Sequence, residues 1–176
     1  MSFFRSVLFL VTFYFFTILL SIISLPLLAL PHRFASHLGS FWGRIVNLCL
    51  KIIPIDFLIK GNVRKREQVI YAVKHQSAWE TLILYWQLER PIVVLKKELL
   101  LIPIIGALMK RAGCIAVDRK AGISALKKLQ REATVAKQTG RSILIFPQGT
   151  RVLPSDNTTP YQVGVFSIYQ LSQCQI

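Results

Sequence analysis

The chain is short, apolar and strongly basic, and these properties limit what it can be. At 176 residues and 20.0 kDa it has the size of one domain. Hydrophobic residues make up 53% of it, and 22 Lys and Arg against 8 Asp and Glu give a formal net charge of +14. This combination indicates an anionic partner, either a lipid surface or a phosphorylated substrate. Helix-turn-helix spacing, zinc-finger cysteine patterns and RNA-binding aromatic signatures are missing, which argues against nucleic acid.

An uncharged apolar segment covers residues 7–30. As a helix it would extend roughly 36 Å at about 1.5 Å per residue, enough to cross the hydrocarbon core of a bilayer. A cleaved signal peptide is the alternative, but the run is longer than a usual signal core and no small-x-small cleavage site is clear before Pro31. Pro26 is expected to kink or end the helix, which leaves both full spanning and monotopic insertion open.

A second helix is predicted over residues 34–53, where apolar and polar residues separate onto two faces. The apolar face comprises Phe34, Leu38, Phe41, Ile45, Leu48 and Ile52, and the polar face His37, Arg44, Asn47 and Lys51. The pattern fits an interfacial helix as well as a surface helix on a soluble core, and its position after the apolar segment favours the membrane. Gly39 and Gly43 predict a groove where the first helix packs. We therefore assign residues 1–55 to a pair of N-terminal membrane helices.

Basic residues are distributed unevenly about the first apolar segment. Arg5 precedes it alone, whereas the following cations are Arg33, Arg44, Lys51, Lys60, Arg64, Lys65 and Arg66. The positive-inside rule therefore predicts a protein of the cytoplasmic (inner) membrane, with the rest of the chain on the cytoplasmic side.

Residues 56–176 alternate short apolar runs with helical patterns. The runs at 68–73, 91–95, 114–117 and 142–146 have strand length and are rich in Val and Ile. Helical patterns cover 81–88, 123–136 and 163–172. Strands that alternate with helices predict an α/β fold, in which helices cover a largely parallel sheet.

One histidine and several cations follow these predicted strands directly. Ligand groups gather at the carboxyl-end rim of a parallel sheet, so we expect one site that holds an anion beside a base. Glu80, five residues after His75, can fold back to accept a hydrogen bond from one imidazole nitrogen, which leaves the other free to take a proton. Ser77 can cap the helix that begins between them. The cations and the loop that accompany this pair are Lys96, Arg119, Gly149, Thr150 and Arg151.

Four sequence blocks resemble those of the glycerolipid acyltransferases, in particular the 1-acyl-sn-glycerol-3-phosphate (lysophosphatidic acid) acyltransferases. HQSAWE at 75–80 resembles their H-x4-D motif, FPQGTR at 146–151 their FPEGTR block, and GCIAVDR at 113–119 the block between them. The stretch over residues 97–106 resembles the part that precedes this middle block. Order and approximate spacing agree across residues 70–165. The resemblance implies the α/β fold of that family behind a membrane-embedded helical pair.

The resemblance also implies an activity and roles for the residues named above. A fatty acyl group would pass from acyl-CoA or acyl carrier protein to the 2-hydroxyl of 1-acylglycerol 3-phosphate, giving phosphatidic acid in phospholipid biosynthesis, without a metal or a cofactor. His75 would act as general base and Glu80 would orient it. Direct attack would leave Cys114 a structural role. The substrate phosphate would be bound by Lys96, Arg119, Gly149, Thr150 and Arg151.

The sequence departs from the family pattern at three points. Glu80 stands where many members have Asp, which we expect to be tolerated, and Gln148 replaces the usual Glu, which removes a negative charge near the phosphate site. The chain ends at Ile176, where family members continue, so we expect a C-terminally truncated chain with an incomplete α/β domain and uncertain activity. Two alternatives stay open: an inactive membrane-bound remnant that binds anionic lipid, and acylation of glycerol 3-phosphate or of another lysolipid.

Overall fold

The structure is a computed structural model that describes residues 3–53, 55–63 and 67–172, and residues 171 and 172 are described by their backbone alone. Residues 64–66, which contributed to the predicted orientation, and the chain end from residue 173 lie outside the described ranges. The described helices are α1 Phe3–Ile23, α2 His32–Leu50, α3 Trp79–Gln87, α4 Ile105–Arg111, α5 Gly122–Gln138 and α6 Gly164–Ser172. The strands are β1 Ile70–Ala72, β2 Ile92–Lys96, β3 Ile115–Val117 and β4 Ile143–Ile145.

The four strands form one parallel sheet in the order β1-β4-β2-β3. This confirms the predicted α/β fold with a parallel sheet. Three strands are shorter than predicted, because β4 pairs with β1, and β3 with β2, over three residue positions only. The second strand extends one residue further than predicted, since Lys96 pairs with Val117 of β3.

Helices cover both faces of the sheet, as the apolar character of the strands requires. Alternate side chains of β2 and β4 point to opposite faces, so Ile92 and Ile143 belong to one core while Val93 and Leu144 belong to the other. The first core is closed by α5 and α6, and the second by α3, behind which α2 packs. The sheet therefore separates α5 and α6 from the N-terminal helices.

Helix α1 has no buried residue, and it is the one helix of the described chain that is long and apolar enough to cross a membrane. It ends at Ile23, and a short 3-10 helix over Leu25–Ala29, with Pro26 in its first turn, leads into α2. The prediction that Pro26 ends the first helix is confirmed. The helix is accordingly displaced from the predicted 7–30 to Phe3–Ile23.

Helix α2 packs against α3, and this packing corrects the role predicted for its glycines. A Cβ at Gly39 would lie 2.8 Å from Cε1 of Tyr85, and one at Gly43 would lie 2.7 Å from the carbonyl oxygen of Leu82. Both glycines therefore allow α3 to pack closely against α2, and the prediction that the first helix packs against them is wrong. Helix α1 instead contacts Trp42, whose Nε1 donates a hydrogen bond of 3.3 Å to Oγ1 of Thr17.

The outer face of α2 carries exposed apolar side chains. Phe34, Phe41 and Leu48 recur every seven residues and are 37%, 51% and 59% exposed. Part of the apolar stripe predicted from the sequence is thus turned away from the protein. Such a face next to α1 is what an interfacial helix presents to lipid.

Candidate active site

Every sequence block with a polar signature lies at the carboxyl end of a strand. His75 follows β1 by three residues, Lys96 ends β2, Arg119 follows β3 by two residues, and the loop from Phe146 follows β4 directly. Because all four strands are parallel, these ends share one edge of the sheet. The order of the strands places the loop after β4 between the histidine and the cations.

His75 and Glu80 form the central contact of this edge. Nδ1 of His75 lies 2.7 Å from Oε1 of Glu80, so the hydrogen bond expected between the two side chains is present. An ionised carboxylate can only accept, so the hydrogen sits on Nδ1 and the lone pair on Nε2. The two side chains are 18% and 14% exposed, respectively, which leaves the imidazole accessible to a small group.

Glu80 lies in the first turn of α3, where several donors surround its carboxylate. The backbone N–H groups of Gln76 and Ser77 donate to Oε1 at 2.7 and 2.8 Å, and the hydroxyl of Ser77 donates to Oε2. Burial alone raises the pKa of Glu80, but these hydrogen bonds and the one from His75 outweigh it and lower the pKa from 4.5 to about 2. The carboxylate is therefore ionised at neutral pH and can accept the hydrogen bond from Nδ1 of His75.

The loop after β4 fixes the other side of His75. The ring of Phe146 lies 4.2 Å from the imidazole ring between centroids, at 30°. The backbone N–H of His75 donates to Oε1 of Gln148 at 3.4 Å, and the carbonyl of His75 accepts from the N–H of Val152 at 2.8 Å. The histidine block and the FPQGTR block, separated by about seventy residues, are thus joined into one site.

The residues predicted to bind phosphate are brought together in part. Gly149 has φ +70°, a left-handed conformation that favours glycine, and a Cβ there would lie 3.7 Å from Cζ of Arg119. The turn that carries Gly149, Thr150 and Arg151 therefore lies against Arg119. Thr150 and Arg151 are exposed, and Val152, next to Arg151, is bonded to the backbone of His75. Lys96 stands at the same edge with its Nζ 3.6 Å from Oε1 of Glu98.

Two contacts at this edge go beyond what the sequence predicts. The sequence predicts Ser77 as a helix cap, whereas in the structure its hydroxyl and its N–H both donate hydrogen bonds to the carboxylate of Glu80. The spacing Ser77-x-x-Glu80, which is typical of a capping box, could have indicated this reciprocal contact. Lys97 pairs with Asp118 and so joins the ends of β2 and β3. A Lys and an Asp that follow neighbouring strands carry no sequence signal for pairing before the strand order is known.

An apolar cavity of about 160 Å³ lies between the sheet and the N-terminal helices. Along α3 it is lined by Thr81, Leu82 and Tyr85, and along β2 by Leu95 and Val93, so it runs from the edge of the sheet that carries His75, the candidate catalytic edge, toward the opposite edge. The remaining wall comes from α1, α2 and α4 and from their neighbours, among them Thr17, Leu20, Leu38, Trp42, Leu108 and Ala112. The cavity thus connects the first turn of α3 with the membrane helices.

Cys114 also lines this cavity, and its environment bears on its chemistry. Burial raises the pKa of its thiol to about 11, so at neutral pH the sulfur is protonated and weakly nucleophilic. Among the residues that the structure describes, no group of three His, Cys, Asp or Glu side chains is arranged to hold a metal ion.

Comparison with known proteins shows the family of the chain. The family described as Acyltransferase matches residues 55–176. A 1-acyl-sn-glycerol-3-phosphate acyltransferase of Pseudomonas aeruginosa is 33% identical over 135 residues, which cover 76% of this chain and 52% of that protein. The proteins of the same name from Limnanthes douglasii and Cocos nucifera are 29% and 25% identical, over 65% and 86% of this chain and 42% and 49% of their own. No solved structure matches the chain significantly.

The length of these relatives sets the scope of the comparison. The chain spans about half the length of the curated relatives it matches. The family match covers the whole sheet and every residue of the edge described above. The family match therefore concerns the α/β region and does not include α1 and α2. Only relatives whose match is longer than that region, such as the one from Cocos nucifera, can also include part of these helices.

Proposed function

Because the chain belongs to the Acyltransferase family, we propose that it transfers a fatty acyl group from an acyl thioester to the 2-hydroxyl of 1-acylglycerol 3-phosphate, giving phosphatidic acid. The observation that carries this proposal is the hydrogen bond between His75 and ionised Glu80 beside the FPQGTR loop. The acceptor is taken from the printed names of the relatives in Pseudomonas aeruginosa and Limnanthes douglasii.

His75 serves as the general base in this reaction. Its Nε2 takes the proton of the acceptor hydroxyl while the oxygen attacks the thioester carbonyl carbon. The tetrahedral intermediate then expels the thiolate, the C–S bond breaks, and the imidazolium returns the proton to sulfur. Glu80 holds the tautomer with Nδ1–H and stabilises the imidazolium, so it is a positioning residue. The protonated state of Cys114 agrees with direct attack that forms no acyl-enzyme.

Cations at the same edge hold the phosphate of the acceptor. Arg119 and Arg151 offer forked guanidinium donors that match phosphate oxygens, and Lys96 adds a point charge from the end of β2. Gly149 lets the backbone approach the ligand, and Thr150 supplies a hydroxyl. Fixing the phosphate orients the glycerol hydroxyl toward the imidazole, which lowers the entropic part of the barrier.

The apolar cavity receives the fatty acyl chain of the donor. Its walls are almost entirely apolar, and on α3 they begin at Thr81, the residue after Glu80. An acyl chain seated there places its thioester at the catalytic edge and exchanges contact with water for contact with apolar side chains. The cavity also abuts α1 and α2, so an apolar substrate can enter from the membrane side.

Helices α1 and α2 hold the enzyme at a membrane. Helix α1 has no buried residue and exposes many of its apolar side chains, and the outer face of α2 exposes Phe34, Phe41 and Leu48. The excess of basic residues after α1 favours the cytoplasmic side of the inner membrane for the catalytic edge.

A thioester-release assay tests the proposed reaction. The chain in detergent or in vesicles is given lysophosphatidic acid with palmitoyl-CoA or a palmitoyl carrier protein, and free thiol and phosphatidic acid are both measured. We expect equal amounts of the two products and at least a hundredfold loss of turnover in His75→Ala, since a general base contributes about 10² to 10⁴ in rate.

A second histidine gives a matched control. His32 is exposed at the start of α2 and is not one of the candidate site residues, so His32→Ala should keep turnover and vesicle attachment. Attachment should be unchanged in His75→Ala as well. Undiminished turnover in His75→Ala would overturn the proposed base. Vesicle binding without turnover in the wild-type chain would favour the inactive lipid-binding remnant.

A further inference from the structure

Helix α5 carries an exposed basic stripe that the proposed reaction does not use. Lys127 and Arg131 lie one helical turn apart on its outer face, opposite the buried side chains of Leu129 and Ala133. Lys120, in the short 3-10 helix before α5, continues the stripe toward Arg119. Within the described ranges, neither Lys127 nor Arg131 forms an ion pair, whereas the neighbouring Lys128 is paired with Glu132. We call Lys120, Lys127 and Arg131 the α5 stripe.

The α5 stripe begins at the catalytic edge and leads away from it. Helix α5 starts at Gly122, directly after the loop of Arg119, and Arg131 lies roughly 14 Å further along the helix at about 1.5 Å per residue. Exposed apolar side chains lie in the same row, one turn before Lys127 and one turn after Arg131, since Ile123 is 75% and Val135 57% exposed. The surface therefore combines unpaired positive charge with apolar contact area.

The position of α5 in the fold argues against lipid as the partner. Helix α5 packs on the face of the sheet that is opposite to α3, behind which the N-terminal helices α1 and α2 lie. With α1 and α2 in the membrane, the α5 stripe faces the aqueous side. An anionic partner of this surface is therefore soluble.

We propose that the α5 stripe is the docking surface for an acidic acyl carrier protein, which delivers the acyl thioester to the catalytic edge. This inference rests on the proposed acyl transfer, and it selects the donor that the proposed function leaves open. The carrier's acidic helix lies along α5 with its apolar residues against Ile123 and Val135, and its pantetheine arm reaches over Arg119 to the edge. Electrostatic attraction of this kind mainly accelerates encounter and fixes orientation.

The extent of the surface favours a protein over coenzyme A. A coenzyme A molecule carries its phosphates at one end and needs one compact group of cations. The α5 stripe spreads three charges from the short 3-10 helix before α5 to the middle of α5 and places apolar side chains beside them, as protein interfaces do. A contact along one helix is small, so we expect a transient complex that weakens as salt is raised.

Charge reversal on α5 tests the docking surface. The full chain in detergent is titrated with an acyl carrier protein that bears a non-transferable palmitoyl group, and the dissociation constant is measured for wild type, Lys127→Glu, Arg131→Glu and Lys60→Glu. Lys60 is exposed in the segment after α2, so its reversal changes the net charge equally. We expect each α5 reversal to weaken binding about three- to tenfold and Lys60→Glu to change it less than about twofold.

Turnover with the two donors separates this inference from the proposed function. In Lys127→Glu and Arg131→Glu, KM for the palmitoyl carrier protein should rise while kcat and all constants with palmitoyl-CoA stay unchanged. An equal loss of turnover with palmitoyl carrier protein and with palmitoyl-CoA would overturn the inference, because Lys127 and Arg131 would then act on a group that both donors contain. Unchanged carrier affinity in the α5 variants, or no carrier binding to wild type, would also overturn it. Absence of thioester release from either donor, with carrier binding intact, would instead overturn the acyl transfer.

Discussion

The side-chain oxygen of Gln148 accepts a hydrogen bond of 3.4 Å from the backbone N–H of His75, and Gln148 is only 5% exposed. This contact links the strand end that carries the base to the loop that carries Gly149 and Arg151. It also explains how the chain accommodates Gln where related sequences have Glu. An amide oxygen and a carboxylate oxygen can both accept this backbone hydrogen.

Substitutions at Gln148 should separate the contact from the charge. Gln148→Ala leaves the N–H of His75 without an acceptor, at a cost of about 1–3 kcal/mol, and we expect kcat to fall about tenfold. Gln148→Glu keeps the acceptor but adds a negative charge near the phosphate cations, so kcat should be retained while KM for lysophosphatidic acid rises roughly threefold. Steady-state kinetics of both variants measure this, and full activity of Gln148→Ala would show that the contact is unimportant.

The low pKa of Glu80 predicts how stability depends on pH. Its pKa is about 2 in the folded chain against an ordinary 4.5, so the stabilisation it contributes is complete above pH 4.5 and is lost as the pH falls toward 2. Glu80→Gln lacks this titration. The difference in Tm between wild type and Glu80→Gln should therefore shrink as the pH falls from about 4.5 toward 2.

Thermal unfolding in detergent, followed by circular dichroism at a series of pH values, measures this difference. Asp156→Asn is a useful comparison, because hydrogen bonds from Thr159 and Thr158 lower the pKa of that carboxyl as well, in a different loop. A difference between wild type and Glu80→Gln that does not change down to pH 3 would contradict the assignment of the low pKa to Glu80.

The apolar cavity predicts that its lining controls the length of the acyl chain. Leu82→Phe adds volume to the cavity wall on α3, so we expect kcat/KM to fall more for palmitoyl than for lauroyl thioesters. Leu84→Phe is the matched control, because Leu84 lies on the same helix and packs against the core beside β4, away from the cavity. Competition between donors of different chain length measures the preference, and an equal shift in both variants would contradict this role of the cavity.

The periodicity of the sequence predicted much of the fold. Val- and Ile-rich runs followed by polar residues predicted the four strands and the edge that they share. In the sheet, β4 lies between β1 and β2, and all three of its residues are buried. The orientation of Gly39 and Gly43 toward α3 could not be predicted in this way. A small residue indicates a close approach of two helices, but the sequence does not say which helix approaches.

Contacts within the site differ in the same way, because some can be predicted from local spacing and others cannot. His75 and Glu80 lie five positions apart, so their contact depends on one local turn, which local spacing can indicate. The links from His75 to Phe146 and Gln148 depend on the strand order, in which β4 lies next to β1 although two strands separate them along the chain. Such links require the assembled sheet.

The kcat of Glu80 variants tests the central claim most directly, namely that an ionised carboxylate orients His75 as the base. Glu80→Asp keeps the charge and should retain activity within about tenfold, whereas Glu80→Gln should lower kcat by about 10² to 10⁴ and leave KM for lysophosphatidic acid nearly unchanged. A Glu80→Gln variant that folds and turns over at the wild-type rate would contradict the claim.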